Sequence, residues 1–306
     1  MREMSKDLLA ITDLSREAIE DLLQSAVEIK ARTKRGEVYM PLAGKTLAMI
    51  FQKPSNRTRL SFQVGMYQLG GHAVYLSPDD IKLGQRESVA DVARVVARYV
   101  EGIMARLFGH EIILELAQHA SVPVINGLTD LLHPCQVLGD LLTILEWRGS
   151  VSGTTVAFVG DGNNVANSWL NAAARIPLDL RIATPPGYEP NEEVFENANS
   201  AGVSTVLMTH DPQEAVRGAD VIYTDVWTSM GQESSAVTRL RYFRGFQINE
   251  TLLAQADDEV KVMHCLPAHR GEEITDQVMD GPHSVVFDQA ENRMHIQKAI
   301  LVKLMA

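Results

Sequence analysis

Two hydrophobic periods alternate along the chain, and that alternation limits the fold more than any other feature. Short apolar runs, "KTLAMIF" (45–51), "HAVYLS" (72–77), "GIMARLF" (102–108) and "VPVINGL" (122–128), are bounded by Gly, Pro or polar residues. Between them lie segments with helical spacing at 55–70, 88–100 and 111–120. After a longer helical run, "CQVLGDLLTILEW" (135–147), the pattern restarts with "TTVAFVGD" (154–161), "DLRIAT" (179–184), "STVLMT" (204–209), "DVIYTDV" (220–226) and "VKVMHCLP" (260–267). Helices are expected at 164–176, 190–201 and 211–218. Strands that alternate with helices imply parallel sheets covered on both faces. The expected class is α/β: two doubly wound domains with parallel sheets, linked by interdomain helices. A length of 306 residues suits two domains of about 150 residues each. The first is expected at 1–134, completed by a C-terminal helix at about 289–306, and the second at 135–288. A further helix, "REAIEDLLQSAVEIKA", follows Ser15, a good N-cap type.

No stretch approaches the roughly 20 apolar residues of a membrane span, and "MREMSKDLLAITDLS" lacks the basic-then-apolar order of an export signal. Only two cysteines occur, Cys135 and Cys265, far apart in the chain. That excludes a disulfide framework and a paired-cysteine zinc site, and it fits a reducing cytoplasm. A net charge of −11 opposes nucleic acid as a partner, which requires a basic face. No membrane partner is expected. An anionic small substrate would need a local basic pocket that the global charge conceals.

Ligands of open parallel sheets bind beyond the carboxyl ends of the strands, so the segments that follow each strand carry the chemical information. "QKPSNRTRLSF" follows the first strand. Ser55 and Asn56 are N-cap types, and Arg57, Thr58 and Arg59 fall in the first helical turn. Arginines there oppose the helix dipole but suit an anion, together with hydroxyls and backbone N–H groups. The alternative is a solvated helix start, and the Walker A pattern is missing. Arg106 ends the third strand, either as an edge residue or aimed into a cleft. The loop "DDIKLGQRES" (79–88) carries Lys82 and reads equally as solvated surface.

"VGDGNNVANS" (159–168) begins like a dinucleotide fingerprint, but Val165 stands at the third glycine position and no acidic residue ends the next strand. Its paired asparagines suit a small polar ligand better. Asp225 in "TDVWTSMGQE" suits an ammonium group, with Ser229 and Met230 in a loop able to close over it; the alternative is a Gly-containing turn. In "MHCLPAHRGEEIT", Cys265 is either a small buried hydrophobe or a reactive thiol, and His264 should point to the opposite face of a continuing strand. His133, Cys135, His264, Cys265 and His269 show no structural-zinc spacing.

Taken together, "SNRTR", "HPCQ", "GDGNN", "DVWTSMGQE", "HCLPAHRGEE" and "ENR", in this order over nearly the whole chain, resemble the aspartate/ornithine carbamoyltransferase family. "SMG" and "HCLP" point to its ornithine branch. The resemblance implies carbamoyl transfer from carbamoyl phosphate to the δ-amine of ornithine, without metal or organic cofactor. It implies that Ser55, Asn56, Arg57 and Thr58 hold the phosphate, that Arg106, His133 and Gln136 bind the carbamoyl end, and that Arg293 completes that pocket. Asn164, Asp225, Ser229 and Met230 would hold the amino-acid part of ornithine. Cys265 and Leu266 would flank the reacting groups, with Arg106, His133 and Cys265 as the catalytic residues. Trimers, or multiples of trimers, with shared active sites are implied as well, Lys82 matching a residue that reaches the neighbouring subunit. Asn56 departs from the usual threonine and Lys82 from the frequent glutamine. The competing readings are a carbamoyltransferase with another acceptor amine and a non-catalytic metabolite-binding homologue.

Overall fold

The computed structural model describes residues 5–306. Residues 1–4, which open the segment read above for an export signal, lie outside the described residues. The chain divides into two compact units, residues 1–142 with 292–306 and residues 143–291.

The first unit holds a four-stranded parallel sheet of order β2-β1-β3-β4. Its strands are β1 (Thr46–Phe51), β2 (His72–Leu76), β3 (Gly102–Arg106) and β4 (Val124–Leu128), with α1 (Arg16–Lys34), α2 (Asn56–Gln68), α3 (Pro78–Ile81), α4 (Val89–Val96) and α5 (His110–His119). The runs that become β1 and β3 are continuous in apolar residues because both faces are covered. Ala48, Ile50, Ile103 and Ala105 pack with Val92 and Ala93 of α4 and Leu116 of α5, while Leu47, Met49 and Phe51 are buried on the alternate face. Edge strand β2 is half-exposed. The chain leaves this unit within α6 (Pro134–Arg148) and returns within the last helix, Val286–Met305. In the first unit that helix is tied to α1 and α2: Lys298 donates to Thr33 Oγ1 (2.7 Å) and Gln68 Oε1 (2.8 Å), and Lys30 donates to Asn292 (2.7 Å).

The second unit holds a five-stranded parallel sheet of order β7-β6-β5-β8-β9, built from β5 (Thr154–Val159), β6 (Leu178–Ala183), β7 (Thr205–Thr209), β8 (Val221–Thr224) and β9 (Lys261–His264). Its helices are α7 (Asn164–Ala173), α8 (Glu192–Ser200), α9 (Pro212–Val216), α10 (Ala236–Tyr242), α11 (Glu250–Leu253) and α12 (Asp276–Met279), and the closing helix is α13 (Val286–Met305). Buried Trp169 of α7 meets Tyr223 of β8 edge-on at 5.8 Å. The expected two doubly wound parallel-sheet domains are thus present. Among the described residues no helix is long and apolar enough to cross a membrane.

Strand order reverses between β1 and β3 in the first unit and between β5 and β8 in the second. At such a reversal the two loops splay apart at the carboxyl ends of the strands and leave a crevice. Those loops are "QKPSNRTR" and the segment after Arg106 in one unit, and "GDGNN" and "DVW" in the other.

Candidate active site

In the first unit Ser55 is the N-cap of α2, its hydroxyl accepting from Thr58 N–H at 3.3 Å. Asn56 is the first helical residue. Arg57 is exposed in the first turn, while Thr58 is fully buried. Arg106 ends β3, where the β3–β4 register slips between Ala105 and Arg106. A slip of this kind re-aims the side chain that follows it. His133 precedes α6 and follows a turn pinned by Thr129, whose hydroxyl accepts from Leu132 N–H at 3.1 Å.

Arg293 draws these elements together. One of its nitrogens donates to Thr58 Oγ1 and the other to Gln136 Oε1 (3.3 Å), while Gln136 donates to Asp140 (2.8 Å). Close helix approach permits this, since a Cβ at Gly139 would stand only 3.1 Å from the Arg293 Cα. Arg106, His133, Gln136 and Arg293 are all buried. Burial holds the His133 imidazole well below the ordinary histidine range, and Arg293, Arg106 and Arg57 push in the same direction. At neutral pH His133 is therefore a neutral ring among guanidiniums, able to donate a hydrogen bond without carrying charge. Lys82 stands apart, exposed and left-handed (φ 40°) at the end of α3.

Cys135 is buried, its Sγ facing the carbonyl of Asn126 at 3.4 Å, and burial pushes its thiol up to about 12. It packs.

In the second unit Asp225, directly after β8, gathers three donors. Cys265 Sγ (2.8 Å) and Val226 N–H (2.8 Å) reach Oδ1, and Asn163 Nδ2 (2.7 Å) reaches Oδ2. Asn163 also caps α7, its Oδ1 accepting from Val165 and Ala166 N–H. Asn164 opens α7. Ser229 and exposed Met230 lie further along the loop, where Ser229 N–H donates to Gln232 Oε1 (3.2 Å).

Strand β9 ends at His264, so the alternation expected of a continuing strand does not extend to Cys265, and the two side chains approach one another instead of pointing to opposite faces. His264 Nδ1 accepts from Leu266 N–H (2.8 Å), which leaves the ring proton on Nε2, 3.0 Å from the buried carboxylate of Glu273. Leu266 is held at φ 59°. The donor atoms of Asp225, His264 and Cys265 lie within 4.8 Å of one another. Both His264 nitrogens are committed, however, so a cation there would have to displace Leu266 or Glu273.

Of the two glycines in "GDGNN", Gly160 takes a positive φ (144°) and Gly162 serves packing. A Cβ at Gly162 would collide with the backbone of 188–190, at 2.2 Å from Pro190 N. The chain's own backbone therefore fills the approach that a pyrophosphate uses over a dinucleotide fingerprint.

Residues 6–146 match the family described as aspartate/ornithine carbamoyltransferase, carbamoyl-P binding domain, and residues 152–304 match its Asp/Orn binding domain. The chain belongs to the aspartate/ornithine carbamoyltransferase family. It is 56% identical over 298 residues to an ornithine carbamoyltransferase of Syntrophus aciditrophicus, covering 97% of this chain and 99% of that one. The chloroplastic ornithine carbamoyltransferase of Pisum sativum is 52% identical, with 98% and 80% covered. The solved ornithine carbamoyltransferase of Pyrococcus furiosus superposes with a TM-score of 0.94 at 52% identity, with 98% and 96% covered.

Within this family frame, Asn163 is the residue that the sequence reading passed over, because "GDGNN" offers two asparagines and only Asn164 was chosen. Both are good N-cap types, so the N-cap preference for asparagine does not separate them. Glu273, which orients His264, carried no signal beyond its place in "HRGEE".

Proposed function

We propose that this chain transfers the carbamoyl group of carbamoyl phosphate to the δ-amine of L-ornithine, giving L-citrulline and phosphate. One observation carries the reading. Thr58 and Gln136, in the half that matches a carbamoyl-phosphate-binding domain, are joined by Arg293 of α13, which packs in the first unit, and the half that matches an Asp/Orn-binding domain joins Asp225, Cys265 and Asn163.

Carbamoyl phosphate needs an anion clamp at one end and donors on its carbonyl oxygen at the other. The N-terminal turn of α2, with Ser55, Asn56, Arg57 and Thr58, supplies the clamp, where backbone N–H groups and a guanidinium favour a phosphate. Arg106 and neutral His133 donate to the carbonyl oxygen as charge builds on it; one such donor is typically worth about 3–4 kcal/mol in the transition state. Gln136 and Arg293 complete that end.

The Asp225 carboxylate takes an ammonium of ornithine, with Asn164, Ser229 and Met230 around its amino-acid part. Cys265 and Leu266 border the δ-amine. That amine titrates near 10 in water, like a lysine, and must be neutral to attack. A C–N bond then forms at the carbamoyl carbon, the C–O bond to phosphate breaks, and phosphate leaves with the amine's proton. Each step uses the chain's own residues and the two substrates. By the same resemblance the chain acts in the cytoplasm, in arginine metabolism, as a trimer or multiple of trimers. Lys82 then reaches a neighbouring subunit's phosphate.

An acceptor panel tests the reading. Purified protein with carbamoyl phosphate should form a carbamoylated product with ornithine and not with aspartate, putrescine or N-acetylornithine. Turnover with one of these and not with ornithine would transfer the proposal to that acceptor. Absence of turnover with all four would favour a non-catalytic homologue.

A further inference from the structure

Lys53 is 4% exposed, two residues ahead of the N-cap of α2, and none of the roles assigned above uses it. Burying an ammonium costs several kcal/mol unless it is paired. Its Nζ is paired with the Asp130 carboxylate, whose side chain is itself 60% exposed, and lies 4.4 Å over the Phe108 ring. Lys53, Phe108 and Asp130 belong to the loops that leave β1, β3 and β4.

The same three loops are laced by further hydrogen bonds. Gln52 N–H donates to the Arg106 carbonyl (2.8 Å), Phe108 N–H to Gln52 Oε1 (3.1 Å), Leu107 N–H to the Leu128 carbonyl (2.9 Å), and Asp130 N–H to the Phe108 carbonyl (2.9 Å). Each loop presents one part of the proposed carbamoyl-phosphate site: Ser55 to Thr58 on the first, Arg106 at the root of the second, His133 at the end of the third. A buried ammonium is a poor device for stability alone. An apolar side chain of similar volume commonly serves a fold as well or better, and methionine would pack on Phe108 through favourable sulfur–ring contact.

We infer that Lys53, through Asp130 and Phe108, is a positioning residue that sets the phosphate-binding turn in register with Arg106 and His133. The inference rests on the carbamoyl-phosphate reading of the first unit and makes no demand on the acceptor. Lys53 acts through geometry: the cations that depress His133 are Arg293, Arg106 and Arg57.

The test compares Lys53→Met, Asp130→Asn, the double variant and Lys53→Arg with the parent protein. The readouts are KM for each substrate, kcat, carbamoyl phosphate binding by calorimetry and urea unfolding. A displacement of about 1 Å at a positioned group costs up to about a hundredfold. Lys53→Met and Asp130→Asn should therefore each raise the KM and Kd for carbamoyl phosphate roughly ten- to hundredfold, with KM for ornithine and the urea midpoint near the parent's. The double variant should be no worse than either single change, because the pair acts as one unit. Lys53→Arg should recover most of the loss. Unchanged carbamoyl phosphate affinity in folded Lys53→Met overturns the inference, and so do multiplying effects in the double variant. If Lys53→Met fails to fold, Asp130→Asn, altered at an exposed side chain, decides in the same way. Failure of the acceptor reading is separable: the parent then binds carbamoyl phosphate without forming citrulline, and calorimetry still ranks the variants.

Discussion

Replacing Arg239 by methionine should destabilise the second unit in a strongly pH-dependent manner. Arg239 and Asp161 form an ion pair at 2.6 Å, with both side chains 7% exposed. The guanidinium also donates to the Trp227 carbonyl (2.8 Å) and lies over the rings of Tyr188 and Phe243. Burial pushes the Asp161 carboxyl from 3.8 up to about 6 even though Arg239 pulls it down. A gap of about two units corresponds to roughly 3 kcal/mol between its two protonation states. The folded carboxyl holds its proton more tightly than the unfolded one, so the folded state binds more protons between about pH 4 and 6. This group's contribution is greatest below that window and falls as pH rises through about 6.

Without Arg239 nothing offsets the buried charge above pH 6. Breaking a buried pair from one side costs about 3–5 kcal/mol, which sets the expected loss at pH 7.5. At pH 5 the carboxyl is protonated, and the loss should shrink to roughly 1–2 kcal/mol, the worth of the lost hydrogen bonds. Urea unfolding at the two pH values measures both numbers, and adding Asp161→Asn to Arg239→Met should restore most of the pH 7.5 loss. Equal destabilisation at both pH values, or no rescue, would refute the reasoning. Because Asp161 adjoins "GNN" and Arg239 holds the start of the Trp227–Met230 loop, KM for ornithine should rise in parallel.

Three further outcomes follow from the geometry. Gly139→Ala should cost about 1–3 kcal/mol by overpacking and weaken carbamoyl phosphate binding, since the added carbon meets the Arg293 backbone; urea unfolding and calorimetry read the two effects. Iodoacetamide should label half-buried Cys265 and spare buried Cys135, with ornithine slowing the labelling; peptide mass spectrometry locates the adduct. Glu273→Gln should raise KM for ornithine and lower kcat in steady-state assays, because His264, and with it the Leu266 backbone, loses its ionic partner, while carbamoyl phosphate affinity stays near the parent's.

Much of the architecture was legible because it depends on local pattern. The strands expected at 45–51, 102–108 and 154–161 are β1, β3 and β5, without Lys45 in the first, Leu107 and Phe108 in the second and Gly160 and Asp161 in the third, and Ser15 does cap α1. Helix α10 was missed because its buried face is led by Arg239, whose burial depends on a carboxylate distant in sequence. Helix α3 lies where the sequence reads as loop, since four residues capped by Ser77 and Asp80 leave no periodicity to detect. The strand ends indicated where the candidate site lies, and ordered motifs supplied its residues. The contacts that hold those residues were not legible: Arg293 to Thr58, Lys53 to Asp130, and His264 to Glu273 join segments whose pairing follows only from strand order. Asn163 illustrates the remainder, because cap and partner roles fall on one side chain and spacing cannot say which asparagine takes them.

The most direct test of the central claim follows labelled carbon from carbamoyl phosphate in the presence of ornithine, for the parent protein and Arg106→Gly. The account predicts that all transferred label appears in citrulline, with one phosphate released per citrulline. It also predicts that Arg106→Gly loses at least about a hundredfold in kcat, as removal of an oxyanion donor does. Phosphate release without labelled citrulline, or an undiminished rate in Arg106→Gly, would contradict it.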